Sequence, residues 1–192
     1  MNKEWALVIA SGPSQTRADC DALRGLCFTG AVNCAVFFAP WVDELYGADP
    51  QFWNYYGPKM QWFKGRRLSR SKAGSNIEVW HGKGWPRTGG NSGHQMLQRM
   101  VDIGFKNVAL LGFDHQHTGG RTHSHGDHPR NKDIKLGNAQ NTHHWHKAMN
   151  RTALDLERKG VKVLNLSRET ALTCFERMSA EDFVNDYGNH KG

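Results

Sequence analysis

The sequence has no apolar run approaching the ~20 residues needed to span a bilayer, so a membrane-embedded chain is not expected. Its first apolar run, residues 5–10, is short and stops abruptly at Gly12-Pro13, unlike the core of a secretory leader. The expected location is therefore the cytoplasm. Cysteine is sparse: Cys20, Cys27, Cys34 and Cys174 include no Cys-x-x-Cys pair. That spacing excludes a disulfide framework and a zinc ribbon, and leaves buried thiols in a reducing compartment. Zinc-finger, RNA-recognition and helix-turn-helix patterns are also missing, so a nucleic-acid function would rest on charge alone.

What is present suits one α/β domain over residues 1–192, with 38% hydrophobic and 22% charged residues. A chain of this size can bury roughly 70% of the surface its unfolded form exposes, so its core needs no staple. The formal charge is +7, and Lys64, Arg66, Arg67, Arg70 and Lys72 contribute five of those charges within nine residues. Such a cluster attracts polyanions without reading sequence, so no specific nucleic-acid partner is expected.

Hydrophobic periodicity gives the expected elements. Residues 5–10 read as a buried strand ended by Ser11-Gly12-Pro13-Ser14, and Ala18, Ala22 and Leu23 mark a helical face over 16–26. A second strand is expected at 31–38, bounded by Gly30 and Pro40. Residues 43–48 fit either a short strand or a helical turn, and 50–56 fit an aromatic-rich helix with Pro50 in its first turn. Short strands are expected at 61–64 and 76–80. Met96, Leu97, Met100 and Val101 form a helical stripe, capped by Asn91 or Ser92 and stopped at Gly104. Residues 108–113 read as a strand, 116–142 as a long loop, 145–160 as a helix, 161–166 as a strand and 182–192 as a frayed tail. Strand, glycine turn, helix, strand is the opening of a mostly parallel, Rossmann-like sheet flanked by helices.

In such sheets ligands bind beyond the carboxyl ends of the strands. Gly12-Pro13-Ser14, between a strand and a helix, is expected to aim backbone N–H groups at a phosphate. It is neither a Gly-x-Gly-x-x-Gly turn nor a Walker A loop. The second concentration of chemistry is histidine. His115, His117, His123, His125, His128, His143, His144 and His146 are eight of the chain's eleven. Proton transfer and metal binding are the main uses of histidine at such density. His123-Ser124-His125-Gly126-Asp127-His128 even fits the His-x-His-x-Asp-His motif of metallo-β-lactamase-like hydrolases, making His123, His125, Asp127 and His128 candidate metal ligands. That motif should follow a hydrophobic strand in a two-layer sandwich, whereas here residues 118–122 precede it, so a metal-dependent hydrolase is the lesser alternative.

Several of these residues together resemble one superfamily. Residues 8–14 (Val-Ile-Ala-Ser-Gly-Pro-Ser), Ala31-Val32-Asn33, Tyr46-Gly47-Ala48-Asp49, Asn91-Ser92-Gly93 and residues 110–114 (Leu-Leu-Gly-Phe-Asp) are similar to motifs of the bacterial CMP-sialic-acid-dependent sialyltransferases and the archaeal 6-hydroxymethylpterin pyrophosphokinases. His123, His125, His128 and Pro129, a later Asn138 and residues 163–167 resemble short members found in tailed-phage genomes. The resemblance runs from about residue 5 to residue 175. It implies a transferase that takes a nucleotide or nucleotide sugar as donor. Gly12, Pro13, Ser14, Asn33, Ser92 and Gly93 would contact the nucleotide, and His125 or His128 would be the general base. For the alternative, a magnesium-dependent pyrophosphokinase, Asp49 and Asp114 are the natural carboxylates; under any of these readings a divalent metal (Mg, Mn or Zn) is the candidate cofactor beside the nucleotide. Asp49 is also expected to face the nucleotide pocket, and Asp114 heads the candidate catalytic loop. A third alternative is a non-catalytic phage protein that sequesters a nucleotide or serves assembly.

Overall fold

The apolar run after Glu4 builds the central strand of the molecule. The computed structural model describes residues 2–82, 91–126 and 142–188. Among these, eight strands form one sheet: β1 (Asn2–Ile9), β2 (Cys27–Val32), β3 (Glu44–Gly47), β4 (Arg66–Ser69), β5 (Glu78–Val79), β6 (Asn107–Leu111), β7 (Lys162–Asn165) and β8 (Glu176–Arg177). Five helices accompany them: α1 (Arg17–Ala22), α2 (Pro50–Tyr56), α3 (Ser92–Asp102), α4 (Thr142–Arg158) and α5 (Ala180–Tyr187). The strand order is β5-β4-β3-β2-β1-β6-β7-β8, and every neighbouring pair is parallel. The chain steps outward from β1 to β5, then returns to place β6 on the other side of β1. The order therefore reverses between β1 and β6, and a crevice opens at such a reversal.

Alternation along β1 feeds two cores. Leu7 and Ile9 pack with Cys20 of α1, Leu23 just after it, Phe52 and Trp53 of α2 and Phe183 of α5. Ala6 and Val8 pack with Met96, Leu97 and Met100 of α3 and Met149 and Leu156 of α4. A sheet covered on both faces explains why its central strands are nearly continuous apolar runs. The methionine stripe is core, as its helical spacing indicates. The start of α3 carries an expected cap, Asn91, whose side chain accepts from the Gly93 and His94 amides, and α2 is capped by Asp49 before Pro50. Cys20, Cys27 and Cys34 are buried, and burial pushes the Cys20 and Cys34 thiols up to about 11. Among the described residues no helix is long and apolar enough to cross a membrane.

Three expectations are corrected. The second strand runs from Cys27 to Val32, not over 31–38, because Asn33 turns to φ +49° and Asn33–Phe37 winds into a 3-10 turn. That turn still buries Cys34, Ala35 and Val36, which is why the apolar run mimicked a strand. No strand forms at 61–64; the strand is β4, inside the basic stretch. Its charges are matched there: Arg66 pairs with Glu44 and Glu78, while Arg67 donates to the Met60 and Phe63 carbonyls. Glu44 is fully buried and also bonds Arg99 of α3 at 2.8 Å. Of the tail read as frayed, residues 182–187 are instead part of α5, with Phe183 fully buried, and 189–192 lie outside the described residues.

Candidate functional site at the carboxyl edge

Beyond β1 the chain continues to pair with the segment after β6. The Ala10 amide donates to the Leu111 carbonyl and the Gly12 amide to the Gly112 carbonyl, both at 2.8 Å. Gly12 is required by packing: a Cβ there would lie 2.2 Å from Asp114 Oδ1 and 2.5 Å from the Gly112 oxygen. The Ser14 amide donates to Asp114 Oδ2 at 2.6 Å. The Gln15 amide donates to the Gly12 carbonyl, and the Thr16 amide to Asp19. Pro13 has no amide hydrogen, so the turn's Gly12, Ser14, Gln15 and Thr16 amides are engaged within the protein. The expectation that this turn aims its N–H groups at a ligand is corrected for these four. The hydroxyls of the half-buried Ser11 and Ser14 meet the neighbouring loops, Ser11 at His123 and Ser14 at the Glu169 backbone.

Asp114 is 1% exposed and fastens the turn to β6. Burial raises its carboxyl above the usual range, opposed by the hydrogen bonds from Ser14. Its Oδ1 atom is buried and has no hydrogen-bond partner among the described residues.

The histidines divide into two groups. His94 in the first turns of α3 is buried against Thr152 of α4, and the His146 ring Nε2–H donates to the His115 carbonyl at 2.9 Å. Burial pushes His94 down to about 4 and His115 down to about 3, so both stay neutral at ordinary pH. His94 thus joins α3 to α4, and His146 joins α4 to the chain just after β6. His123 and His125 belong to the segment that follows β6 and folds back over the turn. There the Ser124 amide donates to the Ser11 carbonyl at 3.0 Å, and the Ser124 hydroxyl donates to Gln15 Oε1 at 3.4 Å. His123 Nδ1 lies 3.4 Å from Ser11 Oγ, and the His123 and His125 rings stack at 5.1 Å. Both ring nitrogens of His125 are buried. Asp127 and His128 lie outside the described residues, so two of the four candidate metal ligands are not placed. Among the described residues no three His, Cys, Asp or Glu side chains converge on a metal position. The all-parallel sheet is not the sandwich that the His-x-His-x-Asp-His motif belongs to.

The remaining candidates sit on the same edge. Asn33 directly follows β2 and is half-buried. Asp49 follows β3, and its Oδ1 accepts the Gln51 amide at 2.8 Å as a helix cap. Ser92 and Gly93 open α3, and a Cβ on Gly93 would meet Phe113 at 3.0 Å, which sets that helix start against the end of β6. Sequence reasoning passed over Glu169. Its backbone exchanges hydrogen bonds with Ser14 Oγ, and its carboxylate accepts from Thr118 at 3.0 Å and Gln116 at 3.3 Å. Its position just after β7 and Ser167, on the ligand-binding edge of a parallel sheet, was the available signal.

No protein-family model matches the chain, and no curated protein matches it. Among solved structures its fold is similar to that of the sialyltransferase CstII from Campylobacter jejuni. One such structure holds a substrate analogue, cytidine-5'-monophosphate; the match has a TM-score of 0.61 at 15% identity and covers 93% of this chain and 86% of that one. A second holds CMP-3FNeuAc, with a TM-score of 0.56 at 14% identity and the same coverage. At such identity the likeness establishes the fold: a Rossmann-like α/β sheet of the kind found in that glycosyltransferase.

Proposed function

We propose that the chain is a transferase that binds a cytidine nucleotide sugar at the β1/β6 crevice and passes the sugar to a hydroxyl acceptor. The observation that carries this reading is the histidine segment folded onto the Gly12-Pro13-Ser14 turn, where the strand order reverses. The likeness to a fold that holds CMP and a CMP-sugar analogue supports the choice of nucleotide.

In this reading Ser14, Asn33, Asp49, Ser92 and Gly93 surround the nucleotide, and Gly12 and Pro13 shape the turn. Asp114 holds that turn in place. His125, or His128, takes the proton of the acceptor hydroxyl as its oxygen bonds to the anomeric carbon. The bond from that carbon to the phosphate oxygen breaks, and the nucleoside monophosphate leaves. A neutral imidazole has the basicity this transfer needs near neutral pH.

The test combines calorimetric titration with CMP, UMP and AMP and a chromatographic assay of CMP release from CMP-sugars. CMP should bind best, and a CMP-sugar should be turned over. His125→Ala or His128→Ala should lower that turnover by roughly 100-fold while CMP binding persists, the scale of losing a general base. Full activity in both variants removes the loop histidines from the reaction. Magnesium-dependent turnover of ATP instead would establish pyrophosphoryl transfer, and tight CMP binding without turnover a sequestering protein.

A further inference from the structure

Three loops meet at the carboxyl edge, after β1, β6 and β7, and Glu169 on the third bonds to both of the others. Its backbone amide donates to Ser14 Oγ at 3.2 Å, and its carbonyl accepts from that hydroxyl at 3.4 Å. Its Oε2 atom accepts from Thr118 Oγ1 and Gln116 Nε2. The adjoining residues anchor it. Thr170 Oγ1 donates to the Phe113 carbonyl at 2.7 Å, and the Ala171 amide donates to the Asp114 carbonyl at 2.8 Å. On the preceding side, Arg168 is clamped by both oxygens of Asp19 at 2.8 Å. Glu169 is thus an acceptor held on a rigid base. The start of the histidine segment, by contrast, carries a two-residue bridge between Thr118 and Arg121 and the exposed Gly119 and Gly120.

We propose that Glu169 is a positioning residue: its carboxylate holds residues 116–118 and so sets the histidine segment over the Gly12-Pro13-Ser14 turn. The opposite end of that segment is tied by Ser124 to Ser11 and Gln15. With both of these attachments in place, the stacked His123 and His125 rings are held beside the turn in one arrangement. The role in turnover rests on the glycosyl-transfer reading above; the holding of the segment does not.

Glu169→Ala removes the carboxylate but keeps both backbone bonds to Ser14, and Glu169→Gln keeps an oxygen that can accept from Thr118 and Gln116. Hydrogen exchange followed by mass spectrometry on the whole protein reads the first part. Exchange in residues 115–126 should accelerate about tenfold in Glu169→Ala, as expected for losing hydrogen bonds worth a factor of ten. It should return to near the wild-type rate in Glu169→Gln, with the peptides of β1 and β6 unchanged in both. On a CMP-sugar, Glu169→Ala should lower kcat about tenfold and leave the donor KM unchanged, the pattern of a lost orientation. Unchanged exchange in 115–126, equal effects of the two substitutions, or a change confined to KM would each overturn the proposal. A wild-type protein that turns over no nucleotide sugar defeats the function reading, while the exchange data still decide whether Glu169 holds the segment.

Discussion

His94 and His115 show what burial does to a histidine, and both contribute to the pH dependence of this fold. Neither has a carboxylate partner among the groups that perturb it; burial alone accounts for His94, and burial with His146 and His94 for His115. The unfolded chain takes up a proton on His94 below its ordinary 6.5, whereas the folded chain refuses it until about 4. Stability from this site is therefore complete above pH 6.5 and is lost as pH falls toward 4, at about 1.4 kcal/mol per pH unit. His115 acts in the same direction. Asp114 acts oppositely: its raised carboxyl contributes stability in acid that is lost as pH rises through its folded value. The expected outcome is that His94→Gln, which keeps a partner for Thr152 but cannot be protonated, flattens the fall of the melting temperature between pH 6.5 and pH 4. Scanning calorimetry of both proteins across that range checks it, and parallel slopes would contradict it. The sequence presents the histidines as one population; only the fold separates those buried against α4 from those leaning on the β1 turn. No local pattern distinguishes His115 from His123, because burial is decided by residues far away in the chain.

At the scale of elements, legibility followed the strength of the local signal. β1 and β6 are apolar runs closed by glycine, and α2 and α3 have side-chain caps, so their existence could be read directly. β4 could not, because Arg66 and Arg67 look like a solvated loop until Glu44, Glu78 and two carbonyls are placed around them. α5 is different, since its signal was present and was outweighed by proximity to the terminus. Ser179 caps the Asp182 amide, and Phe183, Val184 and Tyr187 fall at helical spacing. Phe183 meets Trp5 edge to face at 5.2 Å, and Tyr187 lies 4.8 Å from the same indole. The helix therefore closes the core beside β1 rather than fraying. Phe183→Ala should cost about 3–5 kcal/mol, the range for emptying a buried aromatic site. A urea melt measures it, and a loss below about 1 kcal/mol would show that α5 is dispensable to the core.

For the whole molecule, the parallel order decides where chemistry collects. Once β1 and β6 are neighbours, every loop that leaves a carboxyl end comes to one edge, which is why the motif residues assemble there although they span positions 12 to 114. That edge was legible from the strand–turn–helix opening. The clasp at Glu169 was not, since it needs the order of strands and not their existence. The same view separates two kinds of anion binding by a chain of charge +7. In the basic stretch, Arg66 and Arg67 are committed to internal partners, leaving exposed Lys64, Arg70 and Lys72 for a polyanion. Three contacts to duplex phosphates give a log–log salt slope of about −2.7, so affinity should fall roughly 40-fold between 50 and 200 mM salt. If a nucleotide binds at the β1/β6 crevice as proposed, through uncharged groups such as Ser14, Asn33 and Ser92, its affinity should fall only a few-fold over that range. Fluorescence anisotropy with duplexes of unrelated sequence, beside CMP titrations at both salt concentrations, compares the two. Duplex binding that prefers one sequence and survives 200 mM salt would mean that the basic stretch reads nucleic acid after all.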